Sequence, residues 1–209
     1  MLHVTNSKLR IGFVATRLAG TDGVSLESAK WSQVLTDLGH ECFYFAGECD
    51  RPASRSAVVP EAHFQHEDGL AINQDLFDDY RRTPQTSEEV SRLRRQLKHG
   101  LHRFIDDFGV QLLIVENALS IPMNVPLGLA LTECIAETRI PTIAHHHDFA
   151  WERMRFAVHA AEDYLSAAFP PPMTSVHHAA LNTYAAAEVA RRPGTRSTTL
   201  PTALALNRS

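Results

Sequence analysis

The stretch LRIGFVATRLAGTDGVSLESAKWSQVLTDLGHECFYF at 9–45 decides the fold of this chain. Its apolar start, Leu9–Ala15, predicts a strand, and a glycine-containing turn at 19–23 separates this strand from a segment with helical periodicity. The apolar side chains predicted to form one stripe of this helix are Trp31, Val34, Leu35 and Leu38. Gly39 is placed to end the helix, and a second apolar run, Cys42–Phe45, predicts the next strand. Together these elements form a βαβ unit, whose crossover is almost always right-handed.

The rest of the chain continues this alternation of strands and helices. A capping-box pattern at Thr86 and Glu89 predicts the start of a long amphipathic helix that Gly109 ends. Pro126 is a favourable first-turn residue and predicts the start of the next helix. The other predicted strands cover 111–115, 140–144, 175–181 and 198–200, and the other predicted helices cover 156–169 and 183–192. Apolar strands that alternate with helices predict an α/β fold, with a Rossmann-like open parallel sheet and helices on both faces.

The length of 209 residues suits one large domain, which we predict to cover 1–201 and to be followed by a short tail at 202–209. Segment 47–83 interrupts the alternation, because it is rich in proline and charged residues. We predict that this segment is an insertion or a long loop that packs on the sheet, with one strand near 58–64.

Composition and charge exclude several classes of protein. The net charge is −4 and the isoelectric point is near 6.3, without the basic stripe that a nucleic-acid-binding surface usually needs. The first residues, MLHVTNSKLR, lack the apolar core of a secretory signal, and no stretch approaches the roughly 18 apolar residues of a membrane span. The three cysteines are too few and too scattered for a disulfide framework. These features predict a cytoplasmic protein that binds no nucleic acid and has no transmembrane segment.

Three polar segments follow predicted strands, at the sheet edge where ligands of such folds bind. They are the turn at 20–25, the pair Glu116–Asn117 and the run His145–Asp148. Because the carboxyl ends of parallel strands meet at one edge, we predict that these three segments surround one crevice.

The turn places Gly20, Thr21, Asp22 and Gly23 at the start of a helix. Free N–H groups and the helix dipole favour a phosphate or a carboxylate at such a position. The turn matches neither the GxGxxG fingerprint nor a P-loop, since only two glycines are present and no Gly-Lys-Ser/Thr follows. The alternative is a tight turn in which Asp22 or Ser25 caps the helix.

The run His145-His146-His147-Asp148 is the most distinctive polar feature of the sequence. On a strand, His145 and His147 share one face and His146 lies on the other. A histidine beside a carboxylate can hold a proton near neutral pH and exchange it with a substrate hydroxyl. The alternative is a structural role, in which the imidazoles hydrogen-bond to neighbouring loops.

A metal site is the rival functional interpretation of these histidines. The pair His145-x-His147 resembles the opening of the HxHxDH signature of metallo-hydrolases. That signature places aspartate and histidine at positions held here by Phe149 and Ala150, and the other histidines show no supporting ligand spacing. We therefore predict no metal ligands in this chain.

Further candidates for binding a sugar are Asn117, Trp151 and Arg153. The amide of Asn117 either donates a hydrogen bond to a sugar hydroxyl or caps the loop after its strand. An aromatic ring beside guanidinium groups suits a sugar ring and a phosphate, although a plain core position is an equal alternative for Trp151.

Three stretches resemble the amino-terminal domain of GT-B glycosyltransferases, specifically the family 4-like group. They are GFVATRLAGTDGVSLESAKWSQVLTDLGHE at 12–41, LLIVENALSIPMNVPLGLALTE at 112–133 and IPTIAHHHDFAWERMRF at 140–156. The resemblance covers about 8–201. It implies the transfer of a sugar from a nucleotide-activated donor to an acceptor, with retention at the anomeric carbon.

The same resemblance implies roles for individual residues. In such enzymes the amino-terminal domain mainly binds the acceptor, and the first glycine loop, here with Gly20 and Gly23, reaches the donor phosphates. One of the histidines, His146 or His147, would lie with Asp148 beside the reacting sugar, and His145 would help to bind it. GT-B enzymes generally need no tightly bound metal, so the resemblance implies no cofactor and a nucleotide sugar as the donor substrate.

One departure from the family pattern bears on activity. Family members continue into a second Rossmann-like domain that carries two glutamates with seven residues between them, and no Asp or Glu is followed by a Glu at that spacing after residue 148 here. We therefore predict an acceptor-binding domain without its donor domain, which alone transfers little or no sugar. Its predicted partners are a sugar or glycoconjugate acceptor and either a separate donor-domain chain or a second copy. The alternatives are a non-catalytic binding or interaction domain and, third, a metal-dependent hydrolase.

Overall fold

The structure is a computed structural model, and it describes residues 8–192 and 194–200. In chain order its strands are β1 (Arg10–Val14), β2 (Arg17–Leu18), β3 (Glu41–Ala46), β4 (Glu48–Cys49), β5 (Ser56–Val58), β6 (Leu112–Glu116), β7 (Thr142–His146), β8 (Val176–Ala180) and β9 (Arg196–Thr199). Seven of them form one sheet in the order β5-β3-β1-β6-β7-β8-β9, and all its pairings are parallel. The short strands β2 and β4 pair separately. The predicted α/β fold with a Rossmann-like parallel sheet is confirmed.

The helices are α1 (Gly23–Asp37), α2 (Glu67–Asn73), α3 (Pro84–Phe108), α4 (Val125–Thr138), α5 (Glu162–Ala168) and α6 (Thr183–Ala190). Alternate residues of the central strands point to opposite faces of the sheet. In β3, Cys42 and Tyr44 pack towards α1, whereas Phe43 and Phe45 pack towards α3 and α4. The helices therefore cover both faces, and the order of the strands reverses between β1 and β6.

Helix α1 is present, but its predicted buried stripe is wrong at two positions. Val34 is 57% exposed and Leu38 is 61% exposed. Small and polar residues of α1 are buried instead, namely Ser25, Glu27, Ser28 and Ser32. The hydroxyl of Ser32 lies 2.5 Å from that of Tyr44 on β3, so a hydrogen bond satisfies both groups where the helix lies close to the sheet.

Helix α3 confirms the predicted amphipathic helix, although its first residue lies earlier than expected. The N-cap is Thr83, whose side chain accepts a hydrogen bond from the Thr86 N–H, so the predicted capping box at Thr86 and Glu89 is wrong. The predicted stop is confirmed, because Gly109 follows the helix with φ of 58°, in the left-handed region that glycine tolerates. The buried apolar side chains of α3 are Val90, Leu93, Leu97, Leu101 and Phe104.

Segment 47–83 contains regular structure that the sequence did not predict. Besides β4 and β5 it carries α2 and a helical turn at Gln74–Asp78. The strand expected near 58–64 is β5, and it ends at Val58. The segment packs against the edge of the sheet and against α3, since β5 pairs with β3 and the side chains of Ile72 and Leu76 join the main core.

The region after β7 has less helix than predicted. A short 3-10 helix covers Met154–Phe156, and the next helix, α5, begins only at Glu162, so the single predicted helix at 156–169 is wrong in its first half. Strand β8, helix α6 and strand β9 confirm the last three predicted elements within a few residues. The predicted domain end at Pro201 and the predicted tail at 202–209 lie outside the described residues. No helix in the described part of the chain is long and apolar enough to cross a membrane.

Candidate functional site

A cleft of about 510 Å³ opens at the carboxyl ends of β1, β6 and β7, where the order of the strands reverses. This is the position at which open α/β sheets bind their ligands. Each of the three predicted segments contributes polar groups to the lining of the cleft, namely Asp22, Glu116 with Asn117, and Asp148. Arg17 and Arg153 from neighbouring positions also line it. The structure therefore brings the three segments together around one crevice, as the sequence predicted.

Two histidines of the distinctive run converge on the carboxyl group of Glu116. Glu116 is the last residue of β6, and its register partner on β7 is His145. The Glu116 Oε2 atom lies 2.9 Å from His145 Nδ1 and 3.2 Å from His147 Nε2. Glu116 and His145 are each 1% exposed, and the ring of Trp31 from α1 stacks on His145 with centroids 4.6 Å apart. The floor of the cleft is thus a buried carboxyl group between two imidazoles.

The environment of Glu116 has two opposing effects on its pKa. Burial raises the pKa of this carboxyl group, but hydrogen bonds from His145 and His147 outweigh burial and leave it below its usual value. The group is therefore ionised at neutral pH. An ionised carboxylate between two imidazoles can hold either a proton or a metal cation.

Asn117 sets the position of the histidine loop. Its backbone has φ of 58°, a left-handed conformation that asparagine adopts more readily than most residues. Its N–H donates to the carbonyl of His145 at 2.9 Å, and its Oδ1 accepts the N–H of His147 at 2.7 Å. Within the described residues its Nδ2 group has no hydrogen-bond partner, so this donor is available to a ligand in the cleft. Both roles considered for Asn117 are compatible with this geometry.

The charged residues of the cleft form two ion pairs. Arg17 contacts Asp22 at 2.9 Å, and Arg153 contacts Asp148 at 2.5 Å. The Asp148 contact raises the pKa of Arg153, so the guanidinium stays charged. Arg155 lines the same cleft, and its guanidinium lies 4.5 Å from the centre of the Phe156 ring. No carboxylate among residues 8–192 and 194–200 pairs with Arg155, which leaves its positive charge available to an anionic ligand.

His146, one of the two histidines proposed as catalytic, lies on the other face of β7. Its Nε2 is 2.8 Å from Nδ1 of His178 on β8, its ring packs against Phe149, and its side chain is buried. The pKa of His146 lies well below its ordinary value, because burial and the neighbouring imidazoles disfavour the charged form. Neither His146 nor His147 is among the residues that line the cleft, and strand alternation turns the His146 ring away from His147. Of these two candidates, His147 is the one that contacts Glu116, which does line the cleft, and its side chain is 15% exposed. The geometry therefore favours His147.

Titration of His178 is expected to make the fold less stable in mild acid. Burial lowers the pKa of His178 to about 4, and nearby His177 and Arg192 act in the same direction against a hydrogen bond to the Pro171 carbonyl. Because the unfolded chain takes up this proton near its ordinary pKa of about 6.5, stability is full above that pH and decreases as the pH falls towards about 4. We expect a loss of about 2 kcal/mol in the free energy of unfolding between about pH 7 and about pH 5. Urea denaturation at several pH values measures this loss.

The matched variants for this prediction are His178→Gln and His177→Gln. Glutamine at 178 cannot titrate but keeps hydrogen-bonding groups, so its stability should depend less on pH. His177 is on the same strand with an exposed side chain, and its replacement should change the pH dependence much less, because His177 is a lesser cause of the low pKa of His178 than burial is. An equal acid sensitivity in the wild-type protein and the His178→Gln variant would contradict the assignment.

In the glycine-containing turn at 19–23, the side chain of Asp22 occupies the N–H groups at the start of α1. The Asp22 carboxylate accepts the N–H groups of Val24 and Ser25 at 3.1 Å each, so it caps α1 and takes the donors that were predicted to face a phosphate. Burial raises the pKa of Asp22, but hydrogen bonds from Ser25 and Arg17 outweigh it and lower the pKa overall. Gly20 and Thr21 are exposed and lie outside the lining of the cleft. The capping alternative is thus present, and donor binding by 20–23 stays a prediction.

Trp151 lies outside the main cleft, in a neighbouring pocket of about 340 Å³. Its ring stacks on Phe149 at 4.4 Å between centroids, and the Arg192 guanidinium lies 4.7 Å from the ring centre. The predicted pairing of Trp151 with Arg153 around one sugar is therefore not formed in this structure, because the two side chains point into different pockets.

Sequence reasoning missed several parts of the cleft. Phe64 reaches the cleft from segment 47–83, whose structure had not been predicted. Met123 lies in the loop before α4 and Arg17 begins the short strand β2, and neither residue had been singled out as a site candidate. Glu116 had been predicted to lie at the crevice as part of the pair Glu116–Asn117, but its contacts with the two histidines had not been predicted.

Comparison with known proteins adds to this geometry. No protein-family model matches the chain. The chain is 29% identical over 198 residues to a mannosylglucosylglycerate synthase of Thermotoga maritima, an alignment that covers 92% of this chain and 44% of the relative. It is 27% identical over 205 residues to the mannosylglucosylglycerate synthase of Petrotoga mobilis, which covers 95% of this chain and 46% of that relative. This chain is similar to glycosyltransferases.

The extent of the match limits what it establishes. The chain spans less than half the length of these curated relatives, while nearly all of the chain is aligned. The similarity supports a glycosyltransferase domain. The activity, substrates and partners of the whole protein are therefore proposals.

Proposed function

We propose that this chain is the acceptor-binding, GT-B amino-terminal part of a retaining, family 4-like glycosyltransferase. The donor is a nucleotide-activated sugar, with no tightly bound organic cofactor. The observation that carries this proposal is the similarity of nearly the whole chain to two mannosylglucosylglycerate synthases, combined with a polar cleft at the carboxyl ends of the strands. Such a domain places acceptor hydroxyls beside His147 and Asp148.

The charge pattern of the cleft supports an acceptor that carries a carboxylate. Arg17 and Arg153 are each neutralised by an aspartate, whereas Arg155 has no carboxylate partner in the described chain. Arg155 lies between the main cleft and a second pocket of about 300 Å³. The product named for the two relatives ends in glycerate, which carries one carboxylate. We therefore propose a glucosylglycerate-like sugar acid as acceptor, with its carboxylate at Arg155 and mannose as the transferred sugar.

Replacing Arg155 with alanine is expected to weaken the binding of glucosylglycerate about tenfold, as the loss of one partly solvated charged hydrogen bond predicts. Isothermal titration calorimetry with the purified 209-residue chain measures this change. Glucosylglycerol, which has the same sugar but no carboxylate, should bind wild type and variant equally. The control variant is Arg95→Ala, because Arg95 is exposed on α3, away from the cleft.

The proposed function predicts two properties of the purified 209-residue chain. The 209-residue chain should bind the acceptor but transfer little mannose from a nucleotide-activated donor, because donor and acceptor must be held together for transfer. A separate donor-domain chain or self-association would complete the site in this proposal. If neither glucosylglycerate nor any other sugar acid bound the chain, the assignment as an acceptor-binding domain would be wrong.

A further inference from the structure

We propose that Glu116, His145 and His147 bind one divalent transition-metal ion, of which Zn²⁺ is the representative. Their ligand atoms, one carboxylate oxygen and two imidazole nitrogens, all lie within 4.8 Å of one another. No metal was predicted from the sequence because Phe149 and Ala150 stand where the HxHxDH signature has its next ligands, and because the family resemblance implied none. The structure supplies that ligand from the neighbouring strand, since Glu116 on β6 is in register with His145 on β7.

The chemistry of the donor set fits such an ion. Two histidines with one glutamate are a known catalytic zinc set, and borderline metals prefer imidazole nitrogen together with carboxylate oxygen. In a tetrahedral zinc site the ligand atoms stand about 3.3 Å apart. The Glu116 Oε2 atom is 2.9 Å and 3.2 Å from its two imidazole nitrogens, so these two separations lie within a few tenths of an ångström (about 0.1–0.4 Å) of that spacing.

The contacts of Glu116 also leave part of its carboxyl group unsatisfied. The Glu116 side chain is fully buried beside its two imidazole partners. No lysine or arginine among the described residues forms an ion pair with Glu116. Its second oxygen, Oε1, is buried and has no hydrogen-bond partner in the described part of the chain. This unpartnered oxygen is a second observation that points to a ligand at this position.

The surroundings hold the three ligands in place. The ring of Trp31 stacks on His145, and the Trp31 Nε1 group donates to Glu27 Oε1 at 3.2 Å, which fixes the ring. Asn117 holds the backbone on both sides of the run through its contacts with His145 and His147. Outer contacts of this kind orient metal-binding histidines and commonly change metal affinity by 10–100-fold when removed.

The site also has an open side. Glu116 lines the main cleft, and the His147 side chain is 15% exposed. A metal held by three protein ligands there keeps a coordination position for an oxygen of water or of a ligand in the cleft, as catalytic zinc sites do. The binding of the ion itself requires no sugar, so this proposal stands independently of the proposed transferase function.

The test is a metal titration of the intact, chelator-treated protein, without any sugar. Calorimetry with Zn²⁺ should show one equivalent bound, and bound Zn²⁺ should raise the melting temperature. Co²⁺ in place of Zn²⁺ should give the visible absorption of cobalt bound to nitrogen and oxygen ligands. His147→Ala and Glu116→Gln should each weaken Zn²⁺ binding at least about 100-fold and abolish the Co²⁺ spectrum, because each removes or neutralises a direct ligand.

The control is His102→Ala. His102 Nε2 lies 2.8 Å from Glu137 Oε2, a histidine–glutamate contact on an exposed surface that is the obvious competing site. This variant should bind Zn²⁺ as the wild-type protein does. Should the Glu116→Gln variant fail to fold, as circular dichroism would reveal, the partly exposed His147→Ala variant decides the question. The proposal is overturned if stoichiometric binding is absent, if His147→Ala binds normally, or if His102→Ala alone loses the ion.

Discussion

Replacing Gly47 with alanine is expected to lower the free energy of unfolding by at least about 3 kcal/mol, or to prevent folding. A Cβ atom at this position would lie 2.1 Å from the backbone nitrogen of His63 and 2.4 Å from its Cα. Both are backbone atoms, which cannot move aside as the end of a flexible side chain can. Urea denaturation followed by circular dichroism measures the loss.

Gly23→Ala is the matched control for this prediction. Gly23 begins α1 with no atom within 4 Å of a Cβ placed there, and its φ is not positive. Alanine should therefore be neutral or slightly stabilising, since it also restricts the unfolded chain. If the Gly47→Ala and Gly23→Ala variants had equal free energies of unfolding, the close contact between the backbones of Gly47 and His63 would not constrain the fold.

The contact between Gly47 and His63 also connects the fold to the site. Gly47 lies between β3 and β4, and its N–H donates to the carbonyl of Thr16, which lines the cleft. The residue after His63 is Phe64, which lines the cleft from the other side. Substitution at Gly47 should therefore disturb the cleft even where the chain still folds.

The parts of the fold that sequence reasoning predicted are those with strong local signals. The continuous apolar run Leu9–Ala15 predicts a strand. The apolar residues before Gly109 recur at helical spacing over five turns, and the glycine marks the end of the same helix, so the two signals agree. Helix α1 shows the limit of this logic. Its side towards the sheet carries serines that complete hydrogen bonds, such as Ser32 to Tyr44, and hydropathy alone cannot distinguish such a face from one that faces solvent.

The candidate site could be predicted only in outline. Parallel strands place their carboxyl ends together, so the convergence of Asn117 and the histidine run followed from topology. The contact of Glu116 with His145 depends on the register of β6 against β7, which no local pattern specifies. The separation of His146 from its neighbours followed from strand alternation, but its partner His178 lies on another strand, 32 residues away. The position of Phe64 in the cleft and the lack of a carboxylate partner for Arg155 in the described chain depend on tertiary packing, which the sequence pattern does not specify.

With the proposed donor-domain partner present, Asp148→Asn is expected to slow sugar transfer at least about 100-fold. Retaining glycosyl transfer passes through a transition state with positive charge on the sugar, and the Asp148 carboxylate lies in the cleft beside the proposed acceptor position. Asparagine keeps the shape and the hydrogen-bonding oxygen but removes the charge that stabilises this state. The measurement is the initial rate of transfer from nucleotide-activated mannose to glucosylglycerate.

The control distinguishes a role in transfer from one in stability. Asp163 also pairs with an arginine, Arg82, at 2.5 Å, but it lies on α5 and does not line the cleft. Both variants should change the free energy of unfolding by less than about 1 kcal/mol, as partly exposed ion pairs usually do. Asp163→Asn should keep the wild-type transfer rate. A rate for Asp148→Asn within a few-fold of wild type would mean that this carboxylate acts only through its ion pair with Arg153, and the proposed position of the reacting sugar would have to move.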